Sequence, residues 1–227
     1  MQEKMETLYQ QCQEYVPDYM QLWETLVNID TGTGYGEGIS RVGNLAAAFL
    51  REQGATVRLV PSDKPDAGFN VVGVFTGRGR GKVLAMAHMD TVFAAGTAAE
   101  RPFRTDGEWA YGPGVSDCKG SVALCLHAVK LLRQRQFDDF AQITCLFNCD
   151  EETGSPGSRQ LIQELAAAHD VVLCLEPGQV GDGVVIWRKG SAVLEVAVHG
   201  RGSHAGSAPD DGRNALMELL QQGKAAK

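Results

Sequence analysis

Residues 81–92, GKVLAMAHMDTV, run from a glycine turn through an apolar stretch into a histidine and an aspartate. A short apolar run bounded by turn signals predicts a buried strand over Val83–His88 that delivers polar side chains at its carboxyl end. A second β-rich run, Phe69–Phe75, precedes it across GRGRGK. Glycines between apolar strands predict a hairpin or tight strand connection there. The same GxGxG invites a phosphate-cradle reading, but a dinucleotide fingerprint needs a helix after it, and here a strand follows.

Outward from this strand the pattern alternates. From Met5 to Asn28 the chain is polar with scattered Tyr, Leu and Trp and predicts a helix, which TGTGYGEG (31–38) ends as a loop. Val42, Leu45, Ala46, Phe49 and Leu50 recur at helical spacing, so a helix is expected over Ile39–Gln53, stopped by Gly54. Val122, Cys125, Leu126, Val129 and Leu132 repeat that stripe over Gly120–Arg135, followed by a buried strand at Ile143–Phe147. Leu161, Ile162, Leu165 and Ala168 predict another helix, then a strand over Val171–Leu175. Such alternation implies an α/β fold, a mixed central sheet flanked by helices on both faces. After Ile186 the texture changes to a half-exposed strand (Ala192–His199), a Gly/Ser/Pro loop and a short helix (Asn214–Leu220), as at the opening of a second, small α+β domain. The expected boundaries are 1–187 and 188–227.

Composition narrows the class. The 227 residues are 44% hydrophobic and 22% charged, an ordinary globular balance that excludes wholesale disorder. Lys and Arg number 21 against 28 Asp and Glu, giving 21 − 28 = −7, the wrong sign for gripping a phosphate backbone, so no nucleic-acid partner is expected. The amino terminus lacks the basic start and apolar core of an export signal. Apolar stretches such as Val171–Leu175 fall far short of the roughly 20 residues that cross a bilayer, so no membrane partner is expected. Six cysteines without a CxxC pair read as buried thiols of a reducing cytoplasm.

Open sheets of this kind carry their sites at the carboxyl ends of the strands. Those ends supply His88 and Asp90, then Asp117 from YGPGVSDCKG, Asp150, Glu151 and Glu152 from FNCDEETGS, and Glu176 from LCLEPG. A lone strand-end histidine reads as structural, but several carboxylates beside it would repel one another without a cation between them. A metal site follows. Nitrogen and oxygen donors without thiolate suit Zn²⁺, with Mn²⁺ or Co²⁺ as substitutes, and a bridging carboxylate would let two ions sit about 3.5–4 Å apart. Asp90, two residues beyond His88, is placed to orient its imidazole. Of Glu151 and Glu152, one would bind metal and the other act as general base, and spacing alone does not say which. A thiol nucleophile at Cys118 or Cys149 is disfavoured, because acidic surroundings raise a thiol pKa.

The motifs AHMDTV, GPGVSDCKG, LFNCDEETGSPGSR, LEPG and GSHAGSAPDDGRNA, in this order and spacing, resemble the two-zinc metallopeptidase family. That family includes glutamate carboxypeptidase, which the chain resembles most, acetylornithine deacetylase, succinyl-diaminopimelate desuccinylase and aminoacylase. The resemblance implies His88 and Glu176 on one zinc, Glu152 on the other, Asp117 bridging both, Glu151 as general base and Asp90 as orienter of His88. It further implies that His204, in the GSHAG loop, reaches substrate in a neighbouring subunit of a homodimer. The implied reaction is hydrolysis of an amide or peptide bond in a small peptide or N-acyl amino acid, releasing a carboxyl-terminal residue such as glutamate. An N-acyl amino acid deacetylase and a non-catalytic fragment are the alternatives. On this resemblance, residues 1–187 are the amino-terminal part of a zinc-binding catalytic domain and 188–227 the start of a dimerisation or lid domain. Cys118 and Ser121 stand where the family often has an acid and a second glycine. Family members run on to a late zinc-ligand histidine, a place that none of His88, His127, His169, His199 and His204 fills, so a shortened product is expected.

Overall fold

A computed structural model describes residues 2–64, 66–178, 181, 183–190 and 194–225. The chain divides into two compact units, residues 1–178 and 179–227. The first unit opens with α1 (Gln2–Glu14), α2 (Val16–Val27) and α3 (Gly36–Glu52). Strands β1 (Thr56–Pro61), β2 (Phe69–Thr76) and β3 (Lys82–His88) follow, then the single turn α4 (Thr97–Glu100) and a small ribbon of β4 (Arg104–Thr105) and β5 (Ala110–Tyr111). The unit closes with α5 (Ser121–Gln134), β6 (Gln142–Asn148), α6 (Arg159–Ala167) and β7 (Val171–Cys174). The five long strands form one sheet in the order β1-β2-β6-β3-β7, with β1, β2 and β6 antiparallel in turn and β6, β3 and β7 parallel.

The pleat sorts the apolar side chains into two layers. Val71, Phe75, Ala87, Cys145 and Phe147 face one way, onto Leu26 of α2, Ile39, Val42, Ala46 and Leu50 of α3, and Val122 and Leu126 of α5. Val72, Leu84 and Leu146 face the other way and are covered by Leu161, Ile162 and Leu165 of α6. Each fully buried Leu or Val contributes about 1.5–3 kcal/mol. At Gly73 an added Cβ would stand 2.7 Å from Leu50 Cδ1, so the missing side chain is what lets α3 lie close on the sheet. The expected mixed sheet with helices on both faces is therefore observed.

Two expectations need correction, and one strand went unread. β2 and β3 are not a hairpin, because β6 inserts between them and pairs with both. Two parallel neighbours from later in the chain, β6 and β7, pair with β3 on its two edges, which a local turn cannot foretell. The strand Thr56–Pro61 escaped the pattern reading, since it is an edge strand with mostly exposed side chains. In the second unit Leu194–His199 forms no strand, Ala192 and Val193 lying outside the described residues. A strand needs a partner for its N–H and C=O groups, and in that unit Arg201 and Arg213 form an isolated bridge. Its regular element is α7 (Ala215–Ala225).

Candidate metal centre

Parallel pairing of β3, β6 and β7 puts their carboxyl ends on one edge of the sheet. The register sets His88 opposite Asn148 and Met86 opposite Cys174. Residues just past those pairs, Glu151 and Glu176, therefore emerge level with His88. Asp117 arrives from the tight loop Val115–Gly120 that leads into α5, where the Asp117–Cys118 peptide is cis. That loop is anchored from below. Trp23 Nε1 on α2 donates to the Val115 carbonyl at 2.8 Å, and the buried Lys119 Nζ donates to the Ile29 carbonyl at 2.6 Å.

The imidazole of His88 forms the floor, only 1% exposed, while Asp117, Glu151 and Glu176 stand around it 54%, 45% and 40% exposed. Its Nε2 lies 2.7 Å from Asp117 Oδ1 and 3.9 Å from a carboxylate oxygen of both Glu151 and Glu176. On the other side of the ring, Nδ1 is 2.9 Å from the Asp90 carbonyl oxygen and 3.4 Å from Asp90 Oδ1. Fully buried, the Asp90 carboxylate accepts hydrogen bonds from Thr33 Oγ1 at 2.7 Å and from the backbone N–H groups of Glu151 and Glu152 at 3.0 and 3.2 Å. One carboxylate thus ties the end of β3 to the turn after β6.

The electrostatics of the cluster call for positive charge. Burial disfavours the imidazolium of His88, yet hydrogen bonds and charge attraction from Asp90 and Cys118 outweigh burial and push its pKa up to about 12. Burial raises the Glu152 carboxyl, His88 opposes, and repulsion from Asp117, Asp90 and Glu151 adds to the rise. A divalent cation relieves both. His88, Asp117, Cys118 and Glu176 each offer one donor atom, all within 4.8 Å of one another, so the residues present fit such an ion.

Asp150, grouped with its neighbours by sequence, turns away: it is buried and accepts hydrogen bonds from Gly157 N and Ser158 Oγ. His204 lies in the second unit, exposed, with Nδ1 accepting from the N–H groups of Gly206 and Ser207 at 3.1 Å. Cys149 is an unsuitable nucleophile, its thiol pushed up to about 12 by burial first and by the Asp150 charge second. His127 and His169 bond to helix carbonyls four residues back, at Ala123 and Leu165. Pattern reading missed Thr33, which lay in a stretch read only as loop, while it placed Cys118 near the site as a disfavoured nucleophile. No spacing rule signals a contact across 57 positions.

A helix-flanked mixed sheet that brings a histidine and carboxylates together at one strand edge is an arrangement able to hold a divalent cation. The sequence model of peptidase family M20/M25/M40 matches residues 84–226, and the chain belongs to that family. It is 45% identical over 218 residues to carboxypeptidase G2 of Pseudomonas sp. (strain RS-16), covering 96% of this chain and 52% of that protein. Acetylornithine deacetylase of Photorhabdus laumondii is 29% identical over 181 residues, covering 76% of this chain and 44% of the relative. Human carnosine dipeptidase 1 shares the fold, with a TM-score of 0.67 at 19% identity, over 77% of this chain and 42% of that one. The chain thus spans about half the length of the curated relatives it matches. Among the described residues no helix is long and apolar enough to cross a membrane.

Proposed function

We propose that the chain carries the metal-binding part of a zinc-dependent hydrolase that cleaves an amide or peptide bond and releases a carboxyl-terminal amino acid such as glutamate. The observation behind this reading is the meeting of His88 Nε2 with the carboxylates of Asp117, Glu151 and Glu176 within 3.9 Å. A divalent ion bound there would polarise the scissile carbonyl and bring water deprotonation toward neutral pH. His88, Asp117, Glu152 and Glu176 would hold the metal, with Asp117 as the shared ligand. Glu151 takes the proton of the attacking water and returns it to the leaving amine. Its backbone is held by Asp90, and its partly exposed carboxylate can meet a substrate.

Zinc as the native ion, with Co²⁺ or Mn²⁺ as substitutes, rests on the imidazole and carboxylate donors. For His204, two N–H donors on Nδ1 leave the ring proton on Nε2, which supports a donor role toward a substrate held in the partner of a homodimer. Six free cysteines support a cytoplasmic setting. The deacetylase reading uses the same centre, and the greater identity to carboxypeptidase G2 favours peptidyl or acyl glutamate substrates.

Metal analysis of the purified chain tests this reading: about two zinc per chain supports it, and none after zinc loading makes the chain a non-catalytic fragment. In an enzyme form that turns over, Glu151→Gln keeps its metal and loses roughly 10²–10⁴-fold in glutamate release. Retained turnover removes Glu151 from the base role.

A further inference from the structure

The thiol of Cys118 differs from the other buried thiols. Cys125 and Cys145 lie within the core with their sulfurs 3.7 Å apart. Cys118 is equally buried, but its sulfur is within 4.8 Å of a donor atom on each of His88, Asp117 and Glu176. It follows Asp117 directly, so the same tight loop that presents the carboxylate presents the sulfur. Its S–H donates to the Leu175 carbonyl at 3.2 Å, one residue before Glu176, which places the thiol at the same exit of β7 as that carboxylate. An S–H···O bond is weak and replaceable.

We propose that Cys118 Sγ is a sulfur donor to the ion shared by His88, Asp117 and Glu176, making this a mixed nitrogen, oxygen and sulfur centre. The inference rests on the reading that these residues bind a divalent cation. On ligation the thiol releases its proton to water, gives up the bond to Leu175 and forms a metal–sulfur bond. A sulfur donor shifts preference from hard ions such as Mg²⁺ and Mn²⁺ toward Zn²⁺ and Cd²⁺. The 0% exposure of Cys118 shields it from the oxidants and electrophiles that attack open thiolates.

The metal-free 227-residue chain is titrated with Co²⁺ and read by absorbance. Visible ligand-field bands report binding, and a near-ultraviolet sulfur-to-cobalt charge-transfer band reports the thiolate. The expected result is both bands together, with loss of the charge-transfer band alone in Cys118→Ser. Zn²⁺ affinity of that variant, measured by chelator competition, falls about tenfold or more, the scale on which even outer partners of a metal ligand register. Cys149→Ser and Cys174→Ser keep the band, so its loss in either of them, and not in Cys118→Ser, overturns the assignment. Ligand-field bands without charge transfer in the unaltered chain overturn it too, while leaving the metal centre standing. No bands of either kind overturn both. Should Cys118→Ser fail to fold, the unaltered chain and the two control variants decide the matter.

Discussion

Asp90 accepts, on its Oδ1, the backbone N–H of Glu151 at 3.0 Å across 61 positions of sequence. The same carboxylate also receives Glu152 N and Thr33 Oγ1, and its oxygen lies 3.4 Å from His88 Nδ1. A buried charge is tolerated only when its lone pairs are so occupied. Holding the turn by its backbone leaves the Glu151 and Glu152 side chains available for the centre.

Asp90→Asn keeps the shape but removes the charge and turns an N–H₂ toward backbone donors. Zn²⁺ affinity is expected to fall about 10–100-fold, with a stability loss of roughly 1–3 kcal/mol from the mismatched buried groups. Calorimetric titration and urea unfolding measure the two. Unchanged affinity would show that the imidazole is oriented by the Asp90 carbonyl alone.

Thr33→Val removes the hydroxyl donor from Asp90 while conserving shape, leaving one buried carboxylate oxygen short of a partner. A loss of roughly 1–3 kcal/mol is expected in urea unfolding, and Thr33→Ser recovers most of it. If Ser behaves like Val, the methyl group and not the hydroxyl is what the site needs.

Gly38→Ala would put a Cβ 1.7 Å from the Asp30 carbonyl oxygen. Neither backbone can yield without moving the start of α3, so the cost reaches or exceeds about 3 kcal/mol, the upper part of the overpacking range. Asp30 also accepts from Gly96 N and Ala98 N, so the shift would spread to the loop beyond Asp90. A variant melting with the parent chain would contradict this packing.

Tyr19, partly buried against Trp23 and His127, has its phenol pushed up to about 12 by burial. An unfolded tyrosine ionises near pH 10, about its ordinary value. Above that pH the unfolded chain has released a proton that the folded chain keeps, so the stabilising contribution is present below pH 10 and disappears as pH rises through about 12. Urea unfolding between pH 9 and 12 should show a smaller alkaline loss in Tyr19→Phe. Identical losses in the two proteins would assign the effect to other groups.

Local periodicity and residue chemistry determined much of this protein. The stripes of α3, α5 and α6, the apolar runs of β2, β3 and β6, the exposed strand β7, and the delivery of His88, Asp117, Glu151 and Glu176 at strand or loop ends were legible, because each depends on neighbours within a turn or a pleat. What tertiary structure alone decided is who meets whom. The insertion of β6 between β2 and β3 is a long-range pairing that no turn encodes, and it is this parallel register that levels Glu151 and Glu176 with His88. Turning Asp150 into its own loop and bringing Thr33 to Asp90 likewise required the packed chain. Side-chain identity states which bonds a residue can make, whereas the partner is chosen by the closing of the sheet around it.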